Sequence, residues 1–317
     1  MLAKEVAGQY GFFHIDSHGG LVAADMVLQN DAKVRIGGHE LAAWRISGKE
    51  LVIEYFHKPW GRAVLYPHGN GGFHGQNIHT NGAKYNWRLV SADSTCKVAV
   101  LLCGHMRSFK ATAESLRRHV LVPNNADLFI STWSSRGLQS YKEANAHFEE
   151  GVTEAKIREV YGDCLKGVVI EHEAPAKFAN GFHGRHDPGI TSRIWSMWYK
   201  IKMCEEVCRQ YEYFNDVHYD ILIRVRPDCN FEHTILASSY CVPETITIPF
   251  IEGYGGCCDQ FALGCRHEMG LYCGLYDNFG HYMGQTDVSW AEGLMCHHMF
   301  RSKLSVCRAN IRYWRRR

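Results

Sequence analysis

The sequence of 317 residues has almost no imbalance of charge, with 35 Lys and Arg against 33 Asp and Glu and a formal net charge of +2 at pH 7. A chain this close to neutral has no general attraction for the phosphate backbone of nucleic acid. Its one dense basic run, "RYWRRR" at the C-terminus, reads as a solvated tail rather than a binding arm. No apolar stretch approaches the ~20 residues that a membrane span needs. The opening "MLAKEVAGQYGFF" lacks the apolar core of a secretory signal. The expectation is therefore a cytoplasmic protein with no transmembrane segment and no nucleic-acid partner. Internal repeats and low-complexity tracts are absent as well. Although there are 13 cysteines, no CxxC pair occurs, and most sit singly in apolar surroundings such as "VLLCG", as buried thiols acting as small hydrophobes do. The rival is a zinc site on Cys296, His297 and His298 with Cys257 or Cys258, which would serve a hydrolase but lacks two-plus-two ligand spacing.

What is present is an ordinary globular composition, 46% hydrophobic and 21% charged, in two textures. Residues 1–95 are a series of short segments, among them "YGFFHI", "AAWRI", "LVIEYF" and "AVLYP", separated by Gly, Asn and Asp turn signals. They predict an all-β accessory domain, a small sandwich or open barrel. Residues 96–317 alternate strand and helix, the pattern of a parallel sheet covered by helices. "KVAVLLC" suits a central strand. Phe109, Ala113, Leu116 and Val120 then recur on one face of a helix. "ADLFIST" and "GVVIEH" are further strands. Asp187 and Pro188 open a long helix with a buried stripe of Ile194, Trp198, Ile201, Cys208 and Tyr211. That helix leads to "DILIRV", followed by strands "TITIPF" and "QFALG" and by helices near residues 266–277 and 287–300.

In an open parallel sheet, ligands bind beyond the carboxyl ends of the strands. Those ends carry Gly104 and Arg107 after the first strand, Thr132 and Trp133 at the second, and Arg226, Pro227 and Asp228 after "DILIRV". A glycine, a helix start and an arginine suit a phosphate group, through backbone N–H groups and a forked cation. Charged residues that close an apolar strand call for something outside to neutralise them. Asp259 follows the glycine-rich "EGYGGCC" and precedes a strand, so it is a candidate general base or a turn residue capping local backbone. Glu292 in "SWAEGLMCHH" is the second carboxylate, and His298 reads as core.

The combination "VAVLLCGHMRSF…ADLFISTW", then "YDILIRVRPD", then "DQFALG", over roughly residues 97–300, resembles nucleotide-sugar-dependent glycosyltransferases of GT-A type from bacterial surface-polysaccharide loci and large DNA viruses. The resemblance implies a Rossmann-type α/β sheet with helices on both faces, a nucleoside-diphosphate sugar as substrate and a glycan acceptor. It also implies donor binding by Gly104, Arg107, Thr132, Trp133, Arg193, Arg226 and Asp228, with Trp133 as a stacking platform and Arg193 reaching toward the diphosphate or base. Asp259 or Glu292 would be catalytic. An Asp-x-Asp motif usually holds Mn²⁺ or Mg²⁺ in this fold; here only Asp228 matches its terminal carboxylate, so a divalent metal on Asp228 is the expectation and Arg226 a partial substitute. The alternative function is a glycan-binding protein whose transferase-like domain is inactive.

Overall fold

The computed structural model describes residues 8–15, 21–29, 31–36, 39–47, 50–56, 61–68, 72–78, 80, 84–91, 96–137, 151–173, 188–251, 253–285, 288 and 290–316. Asp187, the expected cap of the long helix, and the turn signals at 17–20, 48–49 and 69–71 lie outside the described residues. The chain divides into two compact units. One comprises residues 1–96 with 236–241 and 306–310, and the other comprises 97–235, 242–305 and 311–317.

The first unit is antiparallel, formed by β1 (Gly8–Ile15), β2 (Leu21–Leu28), β3 (Lys33–Ile36), β4 (His39–Ser47), β5 (Glu50–Tyr55), β6 (Arg62–His68), β7 (Gly72–Ile78) and β8 (Lys84–Ser91). Each strand pairs with the next, and β1 pairs with both β2 and β8. The meander is thus closed into a barrel, where the sequence left a sandwich or open barrel in play. Closure leaves no free edge among these strands. Alternation supplies the interior: Met26, Leu28, Val34, Ala42, Trp44, Leu51, Ile53, Ala63 and Leu65 form one buried cluster. Each large member contributes about 1.5–3 kcal/mol by leaving water. Trp44 satisfies its indole N–H by donating to the Gln29 carbonyl at 2.9 Å. A short strand, β16 (Ser305–Ala309), runs parallel to the start of β2.

The second unit is α/β. Its strands are β9 (Val98–Cys103), β10 (Asp127–Trp133), β11 (Leu165–Glu171), β12 (Ile221–Val225), β13 (Cys229–Phe231), β14 (Thr245–Pro249), β15 (Phe261–Cys265) and β17 (Tyr313–Arg315). Its helices are α1 (Phe109–Leu116), α2 (Glu154–Tyr161), α3 (Pro188–Asn215), α4 (Arg266–Cys273), α5 (Leu275–Gln285) and α6 (Ala291–Arg301). The main sheet has the order β14-β15-β12-β9-β10-β11. β12, β9, β10 and β11 are mutually parallel, and β15 is antiparallel to its neighbours. β9 lies between β10 and β12, so the strand order reverses there, the place at which open α/β sheets form their ligand crevices.

Apolar periodicity accounts for the helices that cover this sheet. Phe109, Ala113, Leu116 and Val120 are all buried, as are Trp198, Ile201, Cys204 and Cys208 of α3. The single helix expected near 266–277 is instead α4 and α5, because Gly274 ends the first by returning its N–H to the Gly270 and Leu271 carbonyls. The basic C-terminus is not a solvated tail in its described part: β17 pairs with β13. Tyr313 anchors it, packing on Phe231 with ring centroids 5.8 Å apart and meeting Cys258 Sγ at 3.2 Å. Eleven cysteines are free thiols, most of them buried. Cys241 and Cys265 are disulfide-bonded, a feature that spacing does not disclose. Among the described residues, no helix is long and apolar enough to cross a membrane.

Candidate functional site

The register of the parallel strands brings three loops to one level. Val225 lies beside Leu102, and Cys103 beside Ser131, so the chain leaves β9, β10 and β12 together. At the end of β9, Gly104 has φ +114° and gives its N–H to the Ser131 carbonyl at 3.0 Å. That conformation strains any residue with a Cβ. The turn it makes carries Arg107 toward β12.

There Asp228, 1% exposed, is held between two guanidinium groups. Arg226 approaches both carboxylate oxygens, at 2.8 Å from Nε and 3.0 Å from Nη2. Arg107 Nη1 lies 3.7 Å away. Within this trio two cations share one carboxylate, with Glu173 and Asp259 as further acidic groups at the same edge. Arg136 adds a third cation, donating to the backbone carbonyls of Met106 and Arg107. His105 stands beside them with Nδ1 3.4 Å from Glu173. Burial pushes its pKa below the usual histidine value; Glu173 opposes that, and Arg107 and Arg226 reinforce it. Gly137 is required where it stands because a Cβ there would come within 2.8 Å of the His105 ring. The docked C-terminus closes the cluster from another side, since Arg316 N–H donates to the Asp228 carbonyl at 2.8 Å.

Asp259 arrives at the same edge because Arg226 N–H donates to the Gln260 carbonyl at 3.0 Å. Glu292 is tied to that loop through its carbonyl, which accepts from Cys257 N–H at 3.0 Å. Gly104, Arg107, Arg226, Asp228, Asp259 and the Glu292 backbone therefore belong to one neighbourhood. Thr132 is fully buried, its hydroxyl directed to the Trp133 carbonyl at 3.3 Å. Trp133 is 4% exposed, with Tyr199 stacked at 6.1 Å and the Lys200 ammonium 3.8 Å from its ring centre. A ligand platform needs an open face, and this ring is already covered by protein. Lys200 is itself wholly buried and pairs with Glu171 at 2.6 Å, while Tyr199 donates to the other oxygen at 2.8 Å. Arg193 is exposed on α3 and does not join the ion pairs around Asp228.

Several residues of this edge were not singled out from sequence. His105, Arg136 and Glu173 flank the expected positions but carry no motif. Arg224 did have a signal, a lone cation inside the apolar run "DILIRV". It is fully buried.

The expected metal fits poorly at Asp228. Both of its oxygens face guanidinium groups, so Mn²⁺ or Mg²⁺ would have to displace an arginine and enter a positive field. Among the described residues no cluster of three or more His, Cys, Asp and Glu has metal-ligand geometry. The zinc combination is taken apart by hydrogen bonding: His298 Nδ1 meets the Tyr282 hydroxyl at 2.9 Å and Nε2 the Leu271 carbonyl at 2.7 Å. Cys258 is engaged by Tyr313, and Cys296 is exposed.

No curated protein matches the chain. One family model matches residues 93–271, more than half of the sequence. The match takes in Gly104, Arg107, Arg226, Asp228 and Asp259 and stops before Glu292. The chain accordingly belongs to the family described as Domain of unknown function (DUF7796).

Proposed function

We propose that the protein is a glycosyltransferase of GT-A type that moves a sugar from a nucleoside diphosphate to a hydroxyl of a glycan acceptor. The observation that carries this reading is the pair of arginines, Arg107 and Arg226, clasped on buried Asp228 where the strand order reverses. Sugar transfer forms a bond from the acceptor oxygen to the anomeric carbon and breaks the bond to the diphosphate oxygen, which keeps the electron pair. The growing charge on the leaving group needs fixed cations aimed at it before reaction. Arg107 and Arg226 supply them, and Asp228 holds their guanidinium planes in place. Arg136 and neutral His105 add donors at the rim. The acceptor's proton passes to Glu292 or Asp259. Arginine thus takes the role that a divalent ion has in related chemistry, and no step is routed through a metal.

A thermal-shift screen against UDP-, GDP- and dTDP-linked sugars, with and without Mn²⁺, tests this. The expected result is stabilisation by one nucleotide class, retained without Mn²⁺ and reduced in Asp228→Asn, which loosens the arginines. Indifference to all three classes overturns the reading. The unconventional Arg-Pro-Asp end of β12 also favours a second reading, an inactive, glycan-binding relative. Release of nucleotide from the stabilising donor in the absence of acceptor separates the two, because an inactive protein releases none.

A further inference from the structure

The turn before Asp259 and the start of α6 are held together, and both present aromatic rings to water. Cys257 N–H donates to the Glu292 carbonyl at 3.0 Å, and a Cβ on Gly256 would meet that same oxygen at 2.3 Å, so the two backbones touch. From the turn rises Tyr254, 64% exposed, with φ +41°. A bulky side chain seldom adopts such a φ. Burial does not offset the strain here, and strain of this kind gathers at binding loops. From the helix start rises Trp290, 43% exposed, whose ring lies against Gly293: a Cβ there would come within 2.6 Å of it. Glycine at 293 thus lets the indole rest on the first turn of α6. Phe250 and Ile251, which lead into the turn, are exposed as well.

Large apolar groups left in water on neighbouring segments mark an interaction surface, and the composition of this one narrows its occupant. Tyr and Trp combine an apolar face with a polar edge. Neither segment, 250–260 nor 288–298, contains Lys or Arg, whereas they carry Asp259 and Glu292. An anionic partner such as nucleic acid or an acidic lipid surface finds no attraction in such a pair. A pyranose answers both features: its C–H face stacks on a ring, and its hydroxyl groups donate to a carboxylate. The criterion that Trp133 fails, an open ring face, is met by Trp290.

We infer that Trp290 and Tyr254 form the platform on which the acceptor glycan stacks, with the reacting hydroxyl presented to Glu292. This rests on the glycosyltransferase reading above for the glycan's role as acceptor, and it deepens that reading. Of the two candidate carboxylates, Glu292 is the one beside the bound acceptor, because it follows Trp290 by two residues and adjoins Gly293, on which the ring rests. The acceptor hydroxyl gives its proton to Glu292 as its oxygen bonds to the anomeric carbon and the diphosphate leaves with the electron pair.

A glycan microarray probed with the full chain, followed by titration of the best-retained glycan and paired with thermal shifts by UDP-, GDP- and dTDP-linked sugars, tests the inference. Trp290→Leu, which stays apolar but has no ring face, and Tyr254→Ala should each weaken glycan binding about fivefold or more, while Trp290→Tyr keeps most of it. Gly293→Ala, whose Cβ enters the space of the ring, should weaken it as Trp290→Leu does. The nucleotide shift should be the same in all four variants and the wild type. Should Trp290→Leu not fold, Tyr254→Ala and Trp290→Tyr carry the comparison. A wild type that retains no glycan, or variants that bind as the wild type does, overturns the platform and leaves the nucleotide site standing wherever the thermal shift persists. The platform is equally overturned if Trp290→Leu turns a dimer into a monomer in sedimentation while glycan binding is kept, since the patch is then a contact between copies of the chain. Glycan binding that is lost with Trp290 in a protein that no nucleotide stabilises upholds the platform and overturns only the transfer reading.

Discussion

The two ends of the parallel sheet in the second unit treat their charges in opposite ways. At the amino end, Arg266 forks onto Glu212 at 2.8 and 2.9 Å and onto Glu205 at 2.9 Å. Asp220 accepts from Lys97 N–H at 2.8 Å, and Tyr219 donates to Asp127 at 2.7 Å. These charges close on one another. At the carboxyl end, Arg107 and Arg226 share a single buried carboxylate, and Arg224 has no hydrogen-bond partner at all. A network that is fully satisfied holds the fold together, whereas a partly satisfied one costs stability. Groups kept at such a cost are candidates for a functional site.

The largest effect expected from this contrast falls at the closed end. Glu212→Ala strips Arg266 of three hydrogen bonds and should lower stability by about 3 kcal/mol, read as a shift of the denaturant midpoint, without altering nucleotide binding. A loss below about 1 kcal/mol would mean that the amino end is not held by its ion pairs, and the contrast would dissolve. Arg107→Ala probes the open end. It should weaken the stabilising nucleotide about tenfold, or ~1.4 kcal/mol, yet cost less than ~1 kcal/mol of stability, because Asp228 keeps its closer contacts with Arg226. Equal losses of stability and binding would show the arginine to be structural.

The smallest effect concerns pH. His298 is 3% exposed with both ring nitrogens engaged, and burial pushes its pKa below the ordinary histidine value. The folded state therefore prefers neutral His298. Its contribution is complete above the unfolded pKa of about 6.5 and is lost as pH falls from there through the depressed folded value, by at most ~1.4 kcal/mol per pH unit for one proton. Midpoints measured between pH 7.5 and 5 in wild type and His298→Gln should converge as pH falls. Parallel curves would locate the sensitivity elsewhere, with neutral His105 at the open end as the next group to replace.

How much of this could be read beforehand differs by element. "VAVLLC" was legible as a central strand because only a sheet covered on both faces needs so continuous an apolar run. Arg226 and Asp228 were legible because charge at the end of such a run is anomalous. Closure of the barrel was not, since it depends on β1 meeting β8, two segments 76 residues apart at their starts, Gly8 and Lys84. Nor was the covering of Trp133, because its partners Tyr199 and Lys200 come from a helix much later in the chain. The tail "RYWRRR" misled for the same reason: its charges suggested water, but Tyr313 and the backbone find partners at β13.

By itself the sequence determined where most strands and helices of the second unit lie and which strand ends carry charge, because side-chain periodicity and apolar runs are local properties of the chain. Tertiary structure alone decided which of those charges neutralise one another and which are left with no protein partner. The reason is physical: a guanidinium is satisfied or not by groups a few ångströms away, and Arg266 finds Glu212 and Glu205 54 and 61 residues away along the chain, as Arg107 finds Asp228 from a different strand end.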